Sequence, residues 1–191
     1  MAKILAFAGS ARRGSANVRL VHAAAHGARE AGAEVTLIDL RDFPMPIFDG
    51  DLEAAQGLPE SAVRLRSLLA AHQGLLIASP EYNSSISPLL KNVIDWTSRG
   101  PNGQGDLSVY RGKVAGLLSA SPGAWGGMRG LVTVRSILGN IGVIVLPNQF
   151  VLPKAHEAFA EDGSLVDAKH ATSARSVAAD VARIAASIAR G

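Results

Sequence analysis

Runs of apolar residues alternate along this chain with segments in which apolar positions recur every three or four residues. The run Ile4-Leu5-Ala6-Phe7-Ala8 has no polar interruption, as a central parallel strand covered on both faces requires. Over residues 17–30, Val18, Val21, Ala25 and Ala28 share one helical stripe while Arg19, Arg29 and Glu30 lie outside it, and Ala31-Gly32 punctuates the end. Residues 34–40 alternate and carry β-branched side chains, which predicts a second strand. A long connection, 41–58, contains Phe43-Pro44-Met45-Pro46, and its length predicts a functional segment or a partly ordered lid. A helix over 59–72 follows, with Pro59 near its first turn, and then a third buried strand over 74–79. Leu89, Leu90, Val93 and Ile94 mark a helix over 87–98. A polar, glycine-rich connection at 99–112 leads to a fourth strand over 113–120 and a helix over 127–139. Residues 143–152 include the fifth strand, whose regular part Pro147 limits, and a helix over 166–189 closes the chain.

Strict alternation of strands and helices predicts an α/β protein, with a parallel sheet covered by helices on both faces. There is no internal repeat or low-complexity tract, so residues 1–191 read as a single domain. In such sheets ligands sit beyond the carboxyl ends of the strands, at the topological switch point. The connections after strands one, three and four are therefore where chemistry is expected.

Composition narrows the classes. With 48% hydrophobic residues over 191 positions the chain can build a full core, and it has no cysteine. Disulfides, thiolate metal sites, thiol catalysis and cysteine-ligated iron–sulfur clusters are thereby excluded. The apolar run at 4–8 is too short for a signal-peptide core and passes straight into Gly9-Ser10-Ala11-Arg12, so it reads as a first strand. No apolar stretch approaches bilayer length, and a cytoplasmic protein without a membrane partner is expected. The net charge is +3, the arginines are scattered and only 5% of residues are aromatic. That is no nucleic-acid footprint, and none is expected to bind. His22 and His26 stand four apart on a helix, as metal ligands can, but no third ligand accompanies them in a recognised motif; no metal is expected.

Three connections carry candidate chemistry. Gly9-Ser10-Ala11-Arg12-Arg13-Gly14-Ser15-Ala16-Asn17 follows a buried strand and opens a helix, where backbone N–H groups and the helix dipole hold an anion. Ser10, Ser15 and Asn17 add neutral donors and Arg12 a charged fork. The loop is neither a Walker A sequence nor G-x-G-x-x-G, which argues against ATP and against a tightly held NAD. An ordinary strand-to-helix turn capped by Ser15 would read the same way. Ser79-Pro80-Glu81-Tyr82-Asn83-Ser84-Ser85 offers backbone amides for the polar edge of a heterocycle and a ring at Tyr82, although a plain polar loop looks alike. Glycines 123, 126 and 127 in the third connection permit close approach to a flat ligand, or simply a flexible turn. Beyond these loops, Lys91 and Asp95 read as a surface ion pair and Trp96 as a packing or interface residue.

The same residues resemble the NADPH-dependent FMN reductase family, which includes bacterial quinone, chromate and azo-dye reductases. The matching elements are G-S-x-R-x-x-S-x-N at Gly9 to Asn17, P-E-Y-N-x-S at Pro80 to Ser85, L-K-N-x-I-D-W at Leu90 to Trp96, and the glycine loop at 123, 126 and 127. The resemblance implies a flavodoxin-like three-layer sandwich with a five-stranded parallel sheet of order 2-1-3-4-5. It implies FMN, with the phosphate on Ser10, Arg12, Ser15 and Asn17. Pro80, Glu81, Tyr82 and Asn83 would line the isoalloxazine, with Ser121 and Gly123 across from them. NADPH or NADH would be the electron donor, and a quinone-, azo-, chromate- or flavin-type small molecule the acceptor, in a ping-pong cycle. A homodimer or homotetramer is implied, with the flavin near a subunit boundary. Residues 99–112 and 153–165 match no family pattern. No catalytic acid, base or nucleophile is expected, since the flavin carries the chemistry. The rival reading is a flavodoxin-like electron carrier for a protein partner, although such carriers tend to be strongly acidic and this chain is mildly basic. A flavin-free binding protein on the same fold is a second rival.

Overall fold

The computed structural model describes residues 1–189. Strands β1 (Lys3–Ala8), β2 (Glu34–Leu37), β3 (Gly74–Ala78), β4 (Val114–Ala120) and β5 (Ile144–Leu152) form one parallel sheet in the order β2-β1-β3-β4-β5. The expected order is thus observed. Strands β3 and β4 are buried at every position, which is why they read as unbroken apolar runs without alternation.

Six helices cover the sheet: α1 (Ala16–Glu30), α2 (Gly50–Gln56), α3 (Glu60–Ala71), α4 (Pro88–Thr97), α5 (Met128–Asn140) and α6 (Ala168–Ile188). One face packs Ile4, Ala6, Leu76 and Leu118 against Leu20 and Ala24 of α1 and Val177 and Val181 of α6. The other packs Leu5, Phe7, Leu75, Ile77 and Leu117 against Leu65, Leu90, Val93 and Leu131. Consecutive strand residues enter opposite clusters because successive side chains point to opposite faces. Glycines inside β3 and β4 admit α6: a Cβ on Gly74 or Gly116 would lie 2.8 or 2.7 Å from a Val181 methyl. Each fully buried leucine or isoleucine in these layers contributes about 1.5–3 kcal/mol.

Two stretches differ from expectation. β2 ends at Leu37, and residues 40–42 turn into a short 3-10 helix opened by the Asp39 carboxylate. The long connection before α3 contains α2, capped by Asp49. β5 keeps its expected place, and Pro147 limits its regular part as expected: the strand bulges there and then resumes. Val145 pairs with Ala115 and Gln149 with Leu117, so residues 146–148 stand opposite Gly116 alone. Arg135 donates to the carbonyls of Val145 and Leu146 and to Gln149 Oε1, satisfying groups the bulge leaves over.

The same connection is fastened and does not hang as a lid. Asn92 Nδ2 and Trp96 Nε1, one turn apart on α4, both donate to the Pro46 carbonyl at 2.8 Å, and the Phe48 N–H donates to Asn92 Oδ1 at 2.7 Å. Trp96 is fully buried and meets Phe48 edge-on at 4.9 Å. Further along, Arg99 clasps the buried Glu53 of α2 at 2.8 Å, and Arg66 holds Asp106 and the Thr97 carbonyl. Both long connections are thus pinned to α4 and its surroundings. Among the described residues no helix is long and apolar enough to cross a membrane.

Candidate functional site

β1 lies between β2 and β3, so the chain leaves it in one direction first and the other later. The crevice beyond the ends of β1 and β3 is the switch point, and the connection after β4 borders it. Three cross-links fix these connections to one another. Gly9 N–H donates to the Ala78 carbonyl at 2.9 Å, and the Gly9 carbonyl accepts from Ser87 Oγ at 2.6 Å. Ser87 also caps α4, its hydroxyl accepting from Leu90 N–H at 3.2 Å. The second link runs from Asn17 to Ala120 and the third from Glu81 to α5.

In the first connection Ser10 and Ser15 are buried and Arg12 is exposed. Ser10 Oγ accepts from the Arg12 N–H, and Ser15 is the N-cap of α1. Either hydroxyl keeps its own proton for a ligand. Helix geometry leaves the N–H groups of Ala16 and Asn17 without intrahelical acceptors. The Arg12 guanidinium has no protein partner among the described residues, and Gly14 makes the turn with φ +67°. Anion-seeking donors therefore converge at one helix start, with no carboxylate in the first turn of α1.

Two of the residues expected to touch a ligand have their side chains otherwise engaged. Asn17 is buried; its Nδ2 donates to the Ala120 carbonyl and its Oδ1 accepts from the Ala120 N–H, each at 2.9 Å. One N–H and one oxygen lone pair of the buried amide are engaged with Ala120, which leaves the backbone N–H of Asn17 among the free donors at the helix start. Glu81 turns its carboxylate toward α5. Oε1 accepts from Arg129 at 2.9 and 2.6 Å, and Oε2 from the Gly130 N–H at 3.2 Å. α5 begins at Gly127 without a side-chain cap of its own, so Glu81 supplies the missing negative group from another connection. Neither role leaves a local sequence signal, because the partners lie 103 and 48 positions away.

Pro80 is buried, while Tyr82 is 49% exposed. Tyr82 and Ser85 exchange backbone hydrogen bonds of 3.0 Å around Asn83 and Ser84, both at positive φ (50° and 65°). This is the geometry of a two-residue type I′ turn, tolerable for Asn and costing about 1–2 kcal/mol for Ser. The turn holds the Tyr82 ring out at the rim. Across the crevice Ser121 is partly buried, and its Oγ accepts from the Gly123 N–H at 3.3 Å. Gly126 and Gly127 are glycines for the fold's sake: both have positive φ, and a Cβ on Gly127 would sit 1.9 Å from Ser119 Oγ. A Cβ on Gly123 would make only an ordinary contact, 3.7 Å from Ser121 Oγ, so of the three glycines this one is not required by its neighbours.

Among the described residues one buried side-chain polar atom has no hydrogen-bond partner: Ser119 Oγ, near the end of β4 beside Gly127. Sequence reasoning missed Ser119, Ser87 and Arg129. Ser87 before Pro88 carried a readable signal, since a serine preceding proline at a helix start is an N-cap signature.

Fold and crevice together place the chain in the flavodoxin-like class, with unpaired donors at the start of α1 and two further connections at the ends of β3 and β4. The match to known proteins is specific. The family model described as NADPH-dependent FMN reductase matches residues 2–157, and the chain belongs to that family. It is 34% identical over 168 residues to an NAD(P)H-dependent FMN reductase of Pseudomonas aeruginosa, covering 87% of this chain and 86% of that protein. It is 33% identical over 173 residues to an NADPH:quinone oxidoreductase of Arabidopsis thaliana, covering 86% and 82%. Among solved structures, the flavoenzyme NAD(P)H:(acceptor) oxidoreductase FerB from Paracoccus denitrificans superposes with a TM-score of 0.81 at 26% identity, covering 98% of each chain. FMN and NAD(P)H are the cofactor and donor of this family.

Proposed function

We propose that the protein oxidises NADPH or NADH and reduces a small acceptor of the quinone, azo, chromate or flavin type, with FMN held in the crevice. The observation carrying this reading is the unpartnered Arg12 beside the open start of α1, with walls at Pro80–Asn83 and Ser121–Gly123 a short distance along the sheet. Ser10, Arg12, Ser15 and the N–H groups of Ala16 and Asn17 would hold the phosphate. Pro80, Tyr82, Asn83, Ser121 and Gly123 would line the ring, with Glu81 contributing its backbone. The exposed backbone at Gly123, where even an added Cβ would make only an ordinary contact, favours a group lying against it. FMN bound there supplies hydride acceptance and onward electron transfer, so the chain itself positions and shields.

Nicotinamide and acceptor would use the same open face in turn, giving a ping-pong cycle with parallel initial-rate lines; intersecting lines would exclude it. The exposed residues Trp125, Met128 and Val132, spaced along one side of α5 and its approach, suit burial by a second copy in a homodimer or homotetramer. A cytoplasmic location fits the need for reduced nicotinamide. Anaerobic stopped-flow of FMN-loaded protein against NADPH and NADH tests the central reading. Bleaching near about 450 nm, the absorption of the oxidised cofactor, followed by reoxidation with a quinone is the expected result. Flavin binding without bleaching would point instead to an electron carrier.

A further inference from the structure

The register of the sheet shows why Asn17 is bound as it is. Ala78 of β3 faces Leu118 of β4, so two residues further Ala120 would face Pro80. In that register Ala120 would bond to the Ser79 carbonyl and the Glu81 N–H, but the chain turns away after Ser79 toward the Tyr82 hairpin. Ser121 donates to Leu152 on the β5 side, which leaves Ala120 directed toward the gap that β3 has vacated. The Asn17 side chain fills that gap. Its amide has the same donor and acceptor as a peptide group, and it takes both hydrogen bonds that a continued strand would have made.

We propose that Asn17 is a positioning residue. It ties the anion-holding end of α1 to the end of β4 and thereby sets the wall at Ser121–Gly123 against the flavin ring, without itself binding phosphate through its side chain. The inference rests on the flavin reading above. The tie is stiff because Asn17 is buried, both bonds are 2.9 Å long, and the next residues are held from the far side: Ala155 N–H donates to the Ser121 carbonyl at 3.1 Å. Truncation strands a buried N–H and a buried C=O on Ala120, so the strand end and the connection after it must rearrange to find water.

The decisive comparison is between FMN and riboflavin, which shares the ring and lacks the phosphate. In Asn17→Ala the affinity for both should fall by a similar factor, about 10- to 100-fold for two lost hydrogen bonds. In Arg12→Ala only FMN affinity should fall. Loss confined to FMN in Asn17→Ala would make the side chain a phosphate ligand and overturn the proposal. At saturating flavin, the visible circular dichroism of the bound ring should change in Asn17→Ala, because its wall has moved. An unchanged spectrum would also overturn the proposal, since a merely structural role affects stability alone.

Asn17→Asp covers the case in which alanine prevents folding. The carboxylate keeps the acceptor toward Ala120 N–H but opposes the Ala120 carbonyl with a second oxygen. Riboflavin affinity should therefore be low at neutral pH and recover in acid as the introduced carboxyl gains a proton to donate; a flat profile would count against the brace. Amide exchange at Ala120 in flavin-free protein reads the brace without any ligand. It should quicken at least about tenfold in either variant, and unchanged exchange would refute the link. Failure of the wild type to bind either flavin would instead remove the proposed function, leaving the exchange result to judge the brace alone.

Discussion

Glu81→Gln separates bracing from ligand contact at a residue where the two are easily confused. The substitution keeps shape and removes charge. The introduced glutamine can keep one acceptor but must turn its NH2 toward either Gly130 N–H or Arg129. Arg129 is 58% exposed and can swing into water, whereas Gly130 is buried, so the oxygen should stay on Gly130. What is lost is then an ion pair whose arginine is well solvated, about 0.2–1 kcal/mol. The anion at the start of α5 is lost as well, about 0.3–1 kcal/mol and somewhat more because the Glu81 side chain is mostly buried. Together these amount to about 1–2 kcal/mol. With a urea m-value of about 2–3 kcal/mol per M for a chain of this size, the midpoint should fall by about 0.5 M. Denaturation followed by circular dichroism on the flavin-free protein measures it, and Arg129→Met in a double-mutant cycle should show coupling of at least about 0.5 kcal/mol. An unchanged midpoint together with lost FMN binding would refute the argument and return the carboxylate to the ligand.

Three further outcomes follow from the geometry. Arg12→Ala should weaken FMN about 10- to 100-fold by calorimetry, the loss of one or two charge-assisted bonds, and leave the melting temperature of the flavin-free protein unchanged because Arg12 braces nothing. Gly127→Ala must carry a left-handed backbone and a Cβ against Ser119 Oγ, about 2–4 kcal/mol and a fall of about 5–15 °C on melting; Gly123→Ala should shift stability by less than about 0.5 kcal/mol while impairing FMN uptake. Burial pushes the Tyr110 phenol up to about 12, while its hydroxyl pairs with Thr97 Oγ at 2.6 Å. In the unfolded chain it ionises near about 10, so from there to pH 12 the unfolded state holds fewer protons and stability must fall as pH rises, by about 2–3 kcal/mol in all. Urea melts at increasing alkaline pH should show that loss in the wild type and a loss smaller by this amount in Tyr110→Phe.

Much of the architecture was legible because its cause is local. β3 and β4 are buried on both faces, so their sequences could carry little but apolar residues, and the loops that end them stood out by contrast. The missed helix α2 is short and weakly patterned; only Asp49 and the acids of its first turn announced it. The fastening of the 41–58 connection was hidden for a different reason. Asn92 and Trp96 advertise a motif but not its object, since the Pro46 carbonyl lies 46 and 50 positions away. The chemistry of the candidate site was readable as residue types at strand ends, and the division between groups that face a ligand and groups that hold the walls was not. An asparagine beside a phosphate-type loop has the same letters whether its amide points outward or completes a sheet.

The clasp on the Pro46 carbonyl also bears on how molecules are chosen. A hinged cover can select by closing only over a partner that fits, and its opening can limit turnover. Here the long connection at 41–58 is tied to α4 through the Pro46 carbonyl and the Phe48 N–H. Under the proposed function a donor or acceptor would then meet no cover formed by this connection, and discrimination would fall to contour and polarity. On that reading such a surface would admit flat, reducible molecules that can lie against it, and breadth of acceptors would be a property of the scaffold.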